Sequence, residues 1–202
     1  MRLFLDREAA LEDLVANHVD GQWQFDFVII NQRYMEDKER IDRSLLAAFE
    51  QACVRASLLQ QQERKGEINY IQFSYLRTSL MEQRAEYRID LYDAGWYMDR
   101  EECASLWQAD FLFEPMFERT QKMDKQKARY GRLVTAMDIE HIQQQDALKY
   151  HLLAVEYLRD RLPALLESEA YAALRKSESV TVLAGEFRDQ HEILYPAKGE
   201  EE

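Results

Sequence analysis

Residues 69–93 read NYIQFSYLRTSLMEQRAEYRIDLYD. Ile71, Phe73 and Tyr75, then Tyr87, Ile89 and Leu91, are large and apolar or amphipathic. Gln72, Ser74 and Thr78, then Glu86, Arg88 and Asp90, alternate with them. A period of two is the signature of a strand, whose successive side chains point to opposite faces. The segment therefore predicts an antiparallel, half-buried hairpin over about 69–93. Pairing Thr78 with Glu86 keeps the odd residues on one face. It sets Tyr75 opposite Ile89 and Arg77 opposite Tyr87.

Most of the remaining chain is patterned for helix. Six glycines and three prolines in 202 residues leave few turn residues, which favours long helices over an all-β fold. Residues 6–19 predict a short helix that Asp20-Gly21 ends. Trp23, Phe25, Phe27 and Ile29 alternate with Gln24 and Asp26, so 23–30 reads as a strand, with Asn31 as an N-cap for the next element. Ile41, Leu45, Ala48, Ala52, Ala56 and Leu59 recur every three or four residues and predict one helix over about 33–64. Its apolar, Ala-rich surface is wider than one stripe requires. Asp99 and Glu102 have the spacing of a capping box, opening a helix through Leu106, Trp107, Phe111 and Phe113 that Pro115 kinks or restarts. Thr135 and Asp138 repeat that spacing and open a helix to about Leu162, with Pro163 starting the next, to about Lys176. VTVLAGEF and HEILY predict a C-terminal hairpin over about 180–195. The order of elements is that of an α+β protein: an antiparallel sheet with helices packed mainly on one face. Residues 1–202 read as a single domain, with the acidic tail at about 197–202 frayed.

Charge and composition exclude several activities. A net charge of −12 repels nucleic-acid backbones, and the one basic run, KMDKQKARYGR, reads as a solvated helix end. No nucleic-acid partner is expected. No window approaches the ~20 apolar residues of a membrane span, and the N-terminal segment lacks a signal-peptide core. With two cysteines, no CxxC and no export signal, a cytoplasmic location is expected.

Motifs that carry chemistry are sparse. No glycine-rich phosphate loop occurs. Asp138 and His141 form a single acid-x-x-His pair, where a carboxylate-bridged metal bundle needs two such pairs and further glutamates. Asp138 also serves as a cap, so no metal or cofactor is expected. Cys103 lies beside Glu101 and Glu102, which oppose a thiolate. His151 falls on the apolar stripe of its helix and reads as a core residue with one hydrogen bond.

Arg77 remains the residue least suited to a purely structural place. With Tyr75, Tyr87 and Trp96 it could line a pocket for a small anionic ligand, the rings packing on the guanidinium plane. The broader expectation is a non-enzymatic protein acting through self-association as a homo-oligomer, or through a protein partner.

Overall fold

A computed structural model describes residues 6–195; the tail expected to fray, 197–202, lies outside the described residues. Eleven regular elements follow one another among those residues: α1 (Arg7–His18), α2 (Gln22–Gln61), β1 (Ile68–Tyr75), α3 (Arg77–Met81), β2 (Glu86–Tyr92), β3 (Ala104–Gln108), α4 (Asp110–Gln126), α5 (Ala136–Leu166), α6 (Glu169–Ala172), β4 (Lys176–Glu186) and β5 (His191–Tyr195). The fold is α+β. Its five strands form an open sheet in the order β3-β2-β1-β4-β5.

Both expected hairpins form, β1 with β2 and β4 with β5. The sheet is mixed rather than wholly antiparallel, because β4 runs parallel to β1 at its centre. A parallel neighbour needs a long crossover, and here everything from β2 to α6 intervenes.

One face of the sheet carries the core. Ile71, Phe73 and Tyr75 of β1, with Tyr87, Ile89 and Leu91 of β2, pack against Leu45, Phe49 and Ala52 of α2 and Tyr150, Ala154 and Leu158 of α5. Each large side chain so buried contributes roughly 1.5–3 kcal/mol relative to exposure. The alanines of α2 let β3 approach its backbone closely. Ser105 Oγ donates to the Ala48 carbonyl at 2.6 Å, and Cys103 Sγ to that of Ala52 at 3.2 Å. The small-residue stripe is therefore consumed by the core.

Residues 23–30 are not a strand. They belong to α2, which begins after Gly21 (φ 71) and bends at Asp37, whose φ of −118° and ψ of 19° are non-helical. Within the segment before the bend, Asp26 and Ile30 are the buried residues, one helical turn apart. The alternation misleads because large apolar side chains also occupy the solvent side. Asn31 is consequently mid-helix and not a cap.

The capping box at Asp99 fails as well. Asp99 accepts from the amides of Asp93 and Glu101 and pairs with the buried Lys65 ammonium. Burial pushes its carboxyl up, but Lys65 and the two amides outweigh that and hold it below the usual aspartate range. Ser105 and Trp107 point inward while Leu106 is exposed, so 104–108 is strand. The helix starts only at Asp110 and runs through Pro115. Thr135 and Asp138 do form a capping box, and α5 continues past Pro163 to Leu166.

Candidate functional site

Two places stand out, the solvent side of the first half of α2 and a cavity at one end of the sheet. The first arises from an inverted helix. Asp26 is turned inward, where Arg119 of α4 pairs with it and with Asp146 of α5. Arg119 also donates to the Tyr150 hydroxyl at 2.7 Å, and that hydroxyl donates to Asp26. With a carboxylate anchoring the inner face, the outer face presents Phe25, Val28 and Met35, at 68%, 64% and 66% exposure, flanked by Ile29. Phe25, Val28, Gln32 and Met35 are spaced i, i+3, i+7 and i+10, the seam by which one helix pairs with another. Between Gln22 and Met35 the charged residues are Asp26, already paired, and Arg33, which reaches Glu114 at 2.6 Å. The chain's negative charge lies elsewhere.

The cavity, of about 380 Å³, is lined by Tyr75, Arg77, Leu148, His151, Glu186 and the turn at 189–192. The hairpin register places Tyr75 opposite Tyr87, with Phe73 opposite Ile89. This is a two-residue shift from the expected pairing, so faces are kept but neighbours change. The shift follows from α3: the chain leaves β1 after Tyr75 and turns into a short helix whose first residue is Arg77. Arg77 is thus beside the sheet rather than on it.

Of the four residues singled out from the sequence, Tyr75 and Arg77 line the cavity, and Tyr87 is fully buried behind Tyr75. Tyr75 and Tyr87 have ring centroids 6.4 Å apart, and Tyr75 donates to Glu186 Oε2 at 3.1 Å. Burial and the neighbouring Glu186 raise the Tyr75 hydroxyl above its usual range. Arg77 forms an ion pair with Glu186. Trp96 is absent from the cavity. It opens a 3-10 turn (Trp96–Met98) and stacks on Tyr70, at 4.3 Å, on the opposite face of the sheet.

His151 and Glu186 also belong to the cavity; the sequence marks His151 only as a core residue with one hydrogen bond and Glu186 not at all, since α5 and β4 reach β1 only through the tertiary fold. The Tyr87 hydroxyl lies 2.8 Å from His151 Nδ1, and the Tyr75 ring 4.7 Å from the imidazole. Burial holds the imidazole down at about 4, so it is neutral near pH 7. A buried phenol must donate, and Nδ1 is the acceptor beside it, which puts the ring proton on Nε2. With Arg77 set against Glu186, Asp189 and Glu192, the cavity walls carry an excess of carboxylates.

The remaining candidates are structural. Asp138 is occupied by its cap and by Arg7. No group of three or more potential ligands among His, Cys, Asp and Glu occurs among the described residues. Cys53 and Cys103 are buried and unpaired, and burial pushes their thiols up to about 12 and about 11. Among the described residues no helix is long and apolar enough to cross a membrane. Comparison with protein-family models, curated proteins and solved structures finds no match, so function is read from the chain's own residues.

Proposed function

We propose that this is a non-enzymatic cytoplasmic protein that works by association, with a second copy of itself as the partner. The observation that carries the reading is the exposed seam Phe25–Val28–Gln32–Met35 on a helix segment whose other side is already anchored in the core. An exposed apolar seam on a helix whose opposite side is already buried has no role in a monomer's own packing. A two-fold axis across the seam brings identical patches together, and the near-absence of unpaired charge there spares the copies their mutual repulsion. The buried, reduced thiols support a reducing compartment.

The test is light scattering on the eluting protein, with Val28→Glu as the variant. Each copy then buries an unpaired charge, costing about 3 kcal/mol or more, or at least ~100-fold in dimer affinity. A dimer that becomes monomeric supports the reading. A wild type that stays monomeric at high concentration refutes it.

A second reading places a small anionic ligand in the cavity at Arg77, favoured by Tyr75 and Arg77 standing side by side in its wall. The anion has to displace Glu186 from the guanidinium. A thermal-shift screen of anions on wild type and Arg77→Ala tests it: a stabilising anion whose effect survives the substitution sinks it.

A further inference from the structure

The outer face of the sheet, turned away from α2 and α5, is covered yet polar. Gln72 and Ser74 of β1 and Asp90 of β2 are each 1% exposed or less. Two segments roof them. The turn at 96–98 lays the Trp96 indole on Tyr70, and the Tyr97 phenol donates to Gln72 Oε1 at 3.0 Å. The β4–β5 turn contributes Phe187 and Arg188. The Arg188 guanidinium lies 5.2 Å from the Phe187 ring centroid and 5.9 Å from that of Tyr97. Trp96 (φ 49) and Arg188 (φ 59) both hold left-handed backbone conformations. Side-chain-bearing residues keep such conformations only where their surroundings impose them, and they gather at ligand clamps.

Beneath the roof, Gln72 Nε2, Ser74 Oγ and Trp96 Nε1 are buried with no hydrogen-bond partner among the described residues. Buried polar groups are nearly always paired, and all three of these can donate. The buried carboxylate opposite Gln72, that of Asp90, is already engaged: Arg88 Nε holds both its oxygens, at 2.9 and 2.8 Å. The Arg188 guanidinium also acts electrostatically on Asp90, working against the rise that burial imposes on its carboxyl. The region therefore sets three unpaired donors and two guanidiniums, those of Arg88 and Arg188, against one buried carboxylate, Asp90.

We propose that the space between the outer sheet face and this aromatic roof is a binding site for a small oxyanion, a carboxylate foremost. Its oxygens accept from Gln72, Ser74 and the Trp96 indole, and Arg188 supplies the countercharge. Entry requires the 96–98 turn to lift, which parts Tyr97 from Gln72. The site is independent of the α2 seam and stands or falls separately from self-association.

Indole N–H resonances of the ¹⁵N-labelled protein provide the test, with Trp96 assigned through Trp96→Phe. Acetate, phosphate and sulfate are titrated against chloride at matched ionic strength. The expected result is a saturable shift of the Trp96 signal with an oxyanion and not with chloride, weakened at least ten-fold in Arg188→Gln. Gln72→Leu should abolish the shift, because its amide donor has gone. Two outcomes overturn the proposal: no saturable shift with any of the oxyanions, or an equal shift in both variants. If Gln72→Leu does not fold, the wild-type and Arg188→Gln titrations decide.

Discussion

Arg119→Leu is the sharpest perturbation of the fold, because one guanidinium serves two buried carboxylates. The side chains of Arg119, Asp26 and Asp146 are 8%, 10% and 3% exposed. With Lys149 reaching Asp146 at 3.0 Å, the cluster holds two cations and two anions. Replacing Arg119 leaves Asp146 its lysine but leaves Asp26 only the Tyr150 hydroxyl. Breaking a buried pair in this way costs about 3–5 kcal/mol, since a desolvated charge is stranded. Asp26→Leu should cost less, about 1–3 kcal/mol, because Arg119 keeps Asp146 and Tyr150. Urea unfolding followed by far-UV circular dichroism measures both. At a slope of about 2–3 kcal/mol/M, Arg119→Leu moves the midpoint by roughly 1–2.5 M. Asp26 anchors the first half of α2, so amide exchange should accelerate earliest at 22–36 and the proposed dimer should dissociate with it. The reasoning is refuted if Arg119→Leu costs under about 1 kcal/mol, or if Asp26→Leu proves the more damaging change.

Other expectations concern the core and the sheet. Because the His151 imidazole is held down at about 4 against an ordinary 6.5, the unfolded chain binds more protons between those values. Stability contributed by the neutral ring is present above about 6.5 and is lost as pH falls toward 4, by on the order of 3 kcal/mol. His151→Phe should flatten that acid slope while lowering stability at pH 7, because the Tyr87 hydroxyl loses its acceptor; an unchanged slope in urea melts across pH refutes the assignment. Gly185→Ala should destabilise by about 1–3 kcal/mol in the same assay, since an added Cβ meets the Gln190 carbonyl at 2.2 Å and backbone yields little. Cys53 and Cys103 should resist a thiol reagent in the native state and react fully in urea; rapid native labelling of either contradicts their burial.

What could be read along the chain was whatever depends on neighbours in sequence. The period-two runs of 69–93 and 180–195 mark strands, and Thr135 with Asp138 marks a helix start, because each pattern lies within one element. Tyr75, Arg77 and Tyr87 were legible as a group since one hairpin holds them. Their partners were not: His151 arrives on α5 and Glu186 on β4, and nothing local records either encounter. The same limit explains the error at 23–30, where alternation and helix share the same residues until burial of Asp26 decides between them. It also separates Trp96 from Arg77, because five residues along β1, from Tyr70 to Tyr75, reverse the face of the sheet. The sequence by itself determined the α+β class, both hairpins and the shortage of conventional chemistry. Tertiary structure alone decided the parallel pairing of β1 with β4, the seam on α2 and the unpaired donors beneath Trp96, because each depends on which distant surfaces exclude water from one another.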